Sequence, residues 1–247
     1  MKSPQRDTES EFDAYASHYA DRVDDPLKRW VGGGLDEFVA LKVRWLMRFL
    51  RQRRLPGGRP RLLDYGCGTG EFMLSLRREG FIGDLEGADV SANMLAEARA
   101  ACGQKEPPPL HLLVPGSPTL GDSSFDIVVA CCVLHHVPPE ERGFTLAEIH
   151  RLLKPGGCMV VFEHNPLNPL TVMIVKRAPV DQNAVLLGAG EVARRMRAAG
   201  FSSIRASYIL FTPVRLRWLQ WVDRMLAWLP LGGQYAVTAF KQGGLSG

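Results

Sequence analysis

Hydrophobic residues follow two different periods along the chain. Beyond about residue 60, short apolar runs of strand length alternate with segments in which apolar residues recur every three or four positions. The run 125–131 is apolar nearly throughout, whereas Phe144, Leu146, Ile149 and Leu152 have helical spacing in the segment that follows. An uninterrupted apolar run is typical of a strand buried on both faces of a sheet. Strands that alternate with helices predict an α/β fold with a doubly wound, mostly parallel sheet.

The positions of these elements follow from the same pattern and from residues that begin or end helices, such as Ser91 and Gly200. The predicted strands are 61–64, 84–88, 110–114, 125–131, 158–162, 201–211 and 234–241. The predicted helices are 35–54, 71–79, 92–101, 138–152 and 189–199. The stretch 55–60 has the composition of a linker. We therefore predict an N-terminal helical cap, residues 1–58, and one core, residues 59–247.

The stretch 62–71, LLDYGCGTGE, is the most informative part of the chain. Leu62, Leu63 and Asp64 are typical of the end of a buried strand, and a helix is predicted to begin at Glu71. Between them, Gly66, Gly68 and Gly70 form a tight turn. Glycine is needed where the backbone takes positive φ or where a ligand lies directly on it. This arrangement at the mouth of an α/β sheet predicts a nucleotide-like cofactor.

The residues beside this turn narrow the choice of cofactor. A dinucleotide fingerprint has its third glycine where this chain has Glu71, whose carboxylate faces like charge beside a pyrophosphate. NAD and FAD are therefore disfavoured. Asp64 precedes the glycines and is able to accept charge-assisted hydrogen bonds from a cation such as the ammonium of a methionine moiety.

The sequence also resembles a known family at this stretch. Residues 63–70, LDYGCGTG, resemble motif I of the class I S-adenosylmethionine-dependent methyltransferases. Three further stretches agree in the same order: GADVS at 87–91, FDIVV at 125–129 with LHHV at 134–137, and LKPGG at 153–157. The resemblance covers about residues 60–163. It implies a Rossmann-like fold with a seven-stranded sheet in the order 3-2-1-4-5-7-6 and an antiparallel last strand.

The resemblance also implies a site for S-adenosylmethionine in the crevice between strands 1 and 4. Asp89 is placed to accept hydrogen bonds from the ribose hydroxyls, and Val90 and Met94 to pack against adenine. Many relatives have an acid after strand 3, but this chain has Gly116-Ser117 there, so Ser117 is a substitute candidate. We expect the cofactor to contact a set of residues that these stretches supply: Asp64, Gly66, Cys67, Gly68, Gly70, Asp89, Val90, Met94, Ser117 and Cys131.

Three other segments bear on the ligands. Tyr15 and Tyr19 lie four residues apart, and two interpretations stay open: closing over the cofactor, or packing on the core. The segments 163–188 and 212–233 leave the sheet where the family carries substrate-covering insertions. We therefore expect them to determine which acceptor is bound.

Methyl transfer is an in-line displacement, to which positioning contributes about 7–11 kcal/mol and a general base about 10²–10⁴-fold in rate. The candidate bases are His164, directly after strand 5, and His136, after strand 4, with Glu163 a weaker candidate. The absence of a dedicated base also stays open. No acid follows strand 4, and the spacing of His135, His136 and His164 is not that of a metal site. We predict no metal.

The segment 213–229 carries three tryptophans and a broad apolar stripe at helical spacing. Three interpretations compete for it: a lid over an apolar acceptor, a helix that contacts a membrane surface or a partner, and core packing. Core packing together with pocket lining is the interpretation that such stripes most often have.

Composition sets outer limits. The net charge is +4, and the basic residues form short clusters, so we expect no nucleic-acid partner. The chain has five cysteines without a C-x-x-C pair, no signal peptide and no run of 18 apolar residues. We therefore expect a cytoplasmic protein with reduced thiols.

We predict a methyltransferase for a small or lipid-like acceptor, with O-methylation favoured. The alternatives are a non-methylating S-adenosylmethionine-binding protein and a nicotinamide-dependent oxidoreductase. The oligomeric state stays open.

Overall fold

The computed structural model describes residues 11–14, 34–53, 58–103, 107–114, 117, 119–214 and 216–243. Tyr15 and Tyr19 lie outside these ranges, so their predicted contact with the cofactor stays a prediction. Of the N-terminal segment the structure describes a single turn of 3-10 helix, Glu11–Ala14, and the long helix that follows.

Seven strands and seven α-helices make up the described part of the chain. The strands are β1 (Arg61–Tyr65), β2 (Asp84–Asp89), β3 (Leu110–Leu112), β4 (Phe125–Cys131), β5 (Leu153–His164), β6 (Phe201–Ile209) and β7 (Gln234–Lys241). The helices are α1 (Leu35–Arg51), α2 (Glu71–Arg78), α3 (Ala92–Ala101), α4 (Arg142–Leu152), α5 (Pro169–Arg177), α6 (Ala189–Ala198) and α7 (Gln220–Met225). Short 3-10 turns lie at Pro179–Asp181 and Arg217–Leu219.

The strands form one sheet in the order β3-β2-β1-β4-β5-β7-β6. The first five strands are parallel to one another, and β7 is antiparallel to both of its neighbours. The α/β class, the strand order and the antiparallel last strand are therefore confirmed. Because β1 and β4 are adjacent while the chain leaves them toward opposite edges of the sheet, their carboxyl ends flank a crevice, which is where such sheets bind ligands.

Alternation along β4 explains why both faces of the sheet are covered. Ile127 and Val129 pack on one side with residues of α1, α2 and α3, while Val128 and Ala130 pack on the other with residues of α4 and α6. All four of these strand side chains are fully buried. Successive strand residues point to opposite faces, so an unbroken apolar run requires a helix layer on each face. Helix α1 belongs to this core through Val43 and Leu46.

Helix α5 was not predicted, and two other elements differ most from the sequence-based prediction. The predicted fifth strand, 158–162, is longer, because β5 includes the Lys154–Gly157 turn and extends to His164, where it pairs with Gln234 of β7. The predicted continuous apolar helix over 213–229 is wrong. In its place are the 3-10 turn Arg217–Leu219 and the short helix α7.

Candidate active site

A cleft of about 2030 Å³ lies at the carboxyl edge of β1, β4 and β5. Ligand pockets of proteins are usually about 300–1,000 Å³, so this cleft has room for two ligands side by side. One end is lined by the glycine turn and the residues after β2, the other by α1, α5 and the residues after β4 and β5. We refer to these parts as the glycine end and the histidine end.

The turn after β1 brings bare backbone to the wall of the cleft. Gly66 has φ +76°, and a Cβ added there would lie 2.5 Å from Val133 Cγ2. Gly68 has φ +52°, lines the cleft and faces open space, so its backbone is accessible to a ligand. Gly70 does not line the cleft: it is the N-cap of α2, with φ +82°. Positive φ at the helix start explains the glycine, and its contact with the cofactor stays a prediction.

Asp64 is the chemically most unusual residue of the glycine end. Its side chain is buried, lines the cleft, and neither carboxylate oxygen has a hydrogen-bond partner. Burial, with the charge of Asp89 as a second cause, raises the pKa of Asp64 to about 8. A buried carboxylate without a donor is costly, and a cationic ligand group removes that cost. The residues at this end therefore fit the ammonium of an S-adenosylmethionine molecule.

Asp89, at the end of β2, connects the glycine turn to the start of α3. Its Oδ2 accepts a hydrogen bond from the Gly68 amide at 2.8 Å, and its Oδ1 accepts one from the Ser91 amide at 2.9 Å. Burial raises its pKa, and these backbone donors oppose the rise. Each carboxylate oxygen has a second lone pair, so the side chain keeps acceptor capacity toward the cleft. Ser91 caps α3 by accepting from the Met94 amide at 3.1 Å.

All of the predicted cofactor residues that the structure describes, except Gly70, line this cleft. They are Asp64, Gly66, Cys67, Gly68, Asp89, Val90, Met94, Ser117 and Cys131. The sequence analysis missed Asp13 and Phe12 on the N-terminal 3-10 turn, which also line the cleft. Asp13 Oδ1 accepts from Ser91 Oγ at 2.5 Å, and the Phe12 ring packs edge-on to His136 with centroids 5.0 Å apart.

At the histidine end, a buried lysine lies beside two thiols. Lys42 of α1 places its Nζ 3.2 Å from Cys132 Sγ and 3.5 Å from Cys131 Sγ. Burial alone lowers the pKa of this ammonium, but the two sulfurs outweigh burial and raise it. The interaction with Cys131, together with Lys42 and His164, holds the pKa of Cys132 well below its usual range. The interaction with Cys132, together with burial, holds the pKa of Cys131 well above its usual range. Cys132 has φ +59°, an uncommon conformation outside glycine that recurs at functional sites.

The adjacent group contains two histidines and two acids. Glu163 is fully buried: its Oε1 accepts from the Leu134 amide at 2.7 Å and its Oε2 contacts His135 Nδ1 at 2.5 Å. Asp181 Oδ1 lies 3.5 Å from His135 Nε2 and 3.3 Å from His136 Nε2. Burial opposes protonation of His135, but the two carboxylates outweigh it and raise its pKa to about 10. Because both of its oxygens are engaged, Glu163 positions His135 and Leu134 and does not face the cleft as a free base.

The candidate base His164 lies at the end of β5 and lines the cleft. Its Nδ1 contacts Gln234 Nε2 at 3.3 Å, and the ring lies 5.2 Å from that of His135, centroid to centroid. The structure therefore brings all three predicted histidines to one end of the cleft, although they come from two strands. The sequence carries no signal for Asp181 and Lys42, because both are distant in sequence from the histidines.

The remaining walls at this end are apolar. They come from α1 and from the segment after β5: Leu35, Phe38, Val39, Ile174, Val175, Ala178 and Val180. The expected acceptor-covering role of 163–188 is thus consistent with the lining. The same role expected for 212–233 is not consistent with the lining, since none of the described residues of that segment lines the cleft. That segment lies outside the cleft, because Asp223 faces inward and the tryptophans face solvent.

Comparison with known proteins agrees with this geometry. Residues 63–161 match the family model described as "Methyltransferase domain". The ubiquinone/menaquinone biosynthesis C-methyltransferase UbiE of Syntrophotalea carbinolica is 33% identical over 172 residues, 68% of this chain and 65% of that protein. The 2-phytyl-1,4-naphtoquinone methyltransferase of Nostoc punctiforme is 34% identical over 112 residues, 43% and 48% of the two chains. The chain spans about half the length of the curated relatives it matches.

Solved structures share the fold at low sequence identity. An S-adenosylmethionine-dependent methyltransferase from Thermotoga maritima has a TM-score of 0.65 at 19% identity, covering 94% of this chain and 98% of that one. The cyclase SpnF has a TM-score of 0.63 at 20% identity, covering 94% and 95%. One fold thus carries different reactions, so the fold alone does not define the chemistry.

Residues 63–161 are therefore a methyltransferase domain, and the sheet order and the cleft have the fold of the class I S-adenosylmethionine-dependent methyltransferases. The domain at residues 63–161 is the part of the chain that carries the family's motifs, and the cofactor of such domains is S-adenosylmethionine. The prediction drawn from residues 63–70 and the three later stretches is confirmed. No helix in the described part of the chain is long and apolar enough to cross a membrane.

Proposed function

We propose that this protein transfers the methyl group of S-adenosylmethionine to a hydroxyl oxygen of a small, apolar or lipid-like acceptor. One observation carries the proposal: the same cleft joins an unpartnered buried carboxylate, Asp64, to an apolar chamber that contains His164. These residues end β1 and β5, which flank β4, so two strand spacings, about 10 Å, separate the strands that bear them.

At the glycine end, the chain's residues bind and orient the cofactor. Asp64 accepts hydrogen bonds from its ammonium, Asp89 from its ribose, and Val90 and Met94 pack against its adenine, with Ser117 at the edge. Bound S-adenosylmethionine supplies an electrophilic methyl group on a sulfonium. Holding an acceptor in line with that group provides most of the rate enhancement, about 7–11 kcal/mol.

At the histidine end, apolar side chains from α1 and α5 exclude water and His164 takes the proton of the acceptor hydroxyl. A general base contributes about 10²–10⁴-fold. His164 is favoured over His136 because the Asp181 carboxylate already engages His136 Nε2, whereas His164 is held by an uncharged amide.

Two measurements test this proposal: binding of the demethylated cofactor, and transfer of the methyl group to an acceptor. Calorimetry with S-adenosylhomocysteine should show binding that weakens about tenfold or more in Asp89→Ala, because two hydrogen bonds to the ribose are lost. Methyl transfer from carbon-13-labelled cofactor to an extract of lipids and small molecules should then yield a labelled, organic-soluble product. Binding without any labelled product would favour the non-methylating alternative, which the shared fold of SpnF allows.

A second candidate is methylation of a ring carbon in the same class of acceptor. Two relatives are named for quinone methyl transfer, one of them as a C-methyltransferase. Removal of a proton from a phenolic hydroxyl activates both its oxygen and the neighbouring ring carbons, so the same base serves either outcome. The carbon-13 resonance of the transferred methyl group distinguishes an O-methyl from a C-methyl product.

We further place this activity in the cytoplasm. All five cysteines are free thiols, and the proposed state of the Cys131–Cys132 pair requires that they stay reduced. We propose neither a nucleic-acid partner nor a metal for the reaction.

A further inference from the structure

The segment between β6 and β7 exposes an unusual amount of apolar surface. Five of its large apolar side chains are about half to three-quarters exposed: Trp218 (71%), Trp221 (49%), Met225 (64%), Trp228 (75%) and Leu231 (55%). We call this set the tryptophan face. None of its members lines the cleft. So many large exposed apolar side chains in one short segment are uncommon on a surface that faces only water.

The chain fixes these side chains outward by burying the segment's acid. Asp223 is buried, and its Oδ1 accepts hydrogen bonds from the amides of Phe211 at 2.7 Å and Thr212 at 3.2 Å. Its Oδ2 accepts one from Thr212 Oγ1 at 3.0 Å. Helix α7 is therefore inverted relative to an ordinary surface helix, with its carboxylate inside and Trp221 and Met225 outside. These hydrogen bonds specify the outward orientation of the face.

The tryptophan face continues to the helix that forms the wall of the histidine end. Asn168, the N-cap of α5, donates from Nδ2 to the Leu231 carbonyl at 2.8 Å, which ties the end of the face to α5. Next to this contact Leu167 and Met173 are exposed, while Ile174 and Val175 of the same helix line the cleft. One helix thus separates the apolar surface from the apolar chamber.

The exposed charged residues of the helices that carry or adjoin this face, α7 and α5, are all basic. Arg224 of α7 and Lys176 and Arg177 of α5 are exposed, whereas the one acid of 213–231, Asp223, is buried. Burial and then the charges of Arg224 and Arg44 lower the pKa of Arg48, while the charge of Asp223 opposes the change, so Arg224 adds positive charge on this side of α1. Indole rings flanked by basic side chains match the headgroup level of an anionic bilayer, where the rings sit between lipid tails and water.

We propose that the tryptophan face docks this protein on the surface of anionic lipid membranes, with α5 adjacent to the bilayer. The docking itself does not depend on methyl transfer. Its purpose rests on the proposed function, because a lipid-like acceptor reaches the chamber past α5 without crossing bulk water.

Vesicle sedimentation tests the docking without cofactor or acceptor. The full chain should pellet with vesicles of phosphatidylcholine and phosphatidylglycerol, more weakly with phosphatidylcholine alone, and its tryptophan emission should shift to the blue. Replacing Trp218, Trp221 and Trp228 by serine should reduce partitioning about tenfold or more, since three large apolar side chains no longer enter the interface. Arg224→Glu should selectively weaken binding to the anionic vesicles, and salt should do the same.

Two controls keep the result unambiguous. Ile82 is 81% exposed and lies outside the face, so Ile82→Ser should leave vesicle binding unchanged. Heat of binding to S-adenosylhomocysteine shows whether the serine variant is folded. The proposal is overturned if the chain binds neither kind of vesicle or if the serine variant binds as well as the parent. It is also overturned if the face forms a dimer interface, so that the parent is a dimer and the serine variant a monomer. Retained methyl transfer in the vesicle-free assay would leave the proposed function standing in each case.

Discussion

The ammonium nitrogen of Lys42 lies 3.2 Å from the sulfur of Cys132, inside the cleft and away from any described carboxylate partner. A buried ammonium requires a counter-charge, and in the described part of the chain its hydrogen-bond partners are the two thiols. The neighbouring Cys131 thiol and this ammonium hold the pKa of Cys132 well below its usual range, which favours a thiolate beside the ammonium.

This relationship predicts the reactivity of one cysteine. The rate of alkylation of Cys132 by iodoacetamide should stay high at pH values well below the ordinary cysteine range, because the low pKa keeps the thiolate populated. Lys42→Met should shift the pH profile of that rate upward, since the compensating charge is gone. Mass spectrometry of the alkylated peptide identifies the site. Cys158, whose pKa burial raises to about 12, is the internal control.

Asp64 predicts that binding of the cofactor is coupled to a proton. Burial raises its pKa to about 8 in the structure, so near neutral pH the carboxyl group is mostly protonated. A bound ammonium favours the carboxylate, and binding should release about one proton near pH 7. Calorimetry in buffers of different ionisation enthalpy measures that release. Asp64→Asn should release none and should weaken binding about 10- to 150-fold, the loss expected for a charge-assisted hydrogen bond.

The raised pKa of Asp64 also means that a group suited to bind the cofactor lowers the stability of the fold at high pH. Since the pKa of Asp64 in the folded state lies above its ordinary value, its contribution to the free energy of unfolding is greatest at low pH. It declines as the pH rises from the ordinary pKa of 3.8 to the folded-state pKa of about 8, and it is constant above that. The Tm advantage of Asp64→Asn over the parent should therefore grow between about pH 4 and about pH 8 and then level off. A difference in Tm that does not vary with pH would show that Asp64 is ionised in the empty cleft or not buried.

His164 predicts a specific change in the pH profile of turnover. An imidazole accepts a proton only while it is neutral, so kcat should fall as the pH is lowered, and His164→Ala should remove that dependence. The same substitution should lower kcat about 10²-fold or more while binding of S-adenosylhomocysteine is retained. His136→Ala is the matched control, since it removes the neighbouring imidazole. If His136→Ala abolishes the pH dependence instead, the base is His136; if neither does, the enzyme has no dedicated imidazole base.

The parts of this site that the sequence predicts are those whose signal is local. Asp64, the glycines and Asp89 lie at strand ends within short motifs, so their common location follows once the sheet is recognised. Lys42 and Asp181 carry no such signal, because tertiary packing brings them to the histidines from separate helical segments. The apolar periodicity of 213–229 led to a wrong prediction for a different reason. It indicates that one face is apolar, but only the hydrogen bonds of Asp223 show that this face points outward.

The group formed by His135, His136 and Asp181 tests the prediction that the protein uses no metal. Its ligand atoms all lie within 4.8 Å of one another, which is close enough for three ligands of one ion. His135, however, contacts a carboxylate with each ring nitrogen, and its pKa of about 10 keeps both nitrogens protonated. A protonated imidazole has no lone pair for a metal.

We therefore expect the purified protein to contain less than about one-tenth equivalent of zinc, manganese or iron by elemental analysis. Turnover should be unchanged after treatment with a chelator. His135→Gln should alter stability through the unpaired Glu163, with no effect on metal content. One equivalent of a divalent metal that is lost in His135→Gln and in Asp181→Asn would contradict this expectation, because only a site that displaces the His135 protons has that behaviour.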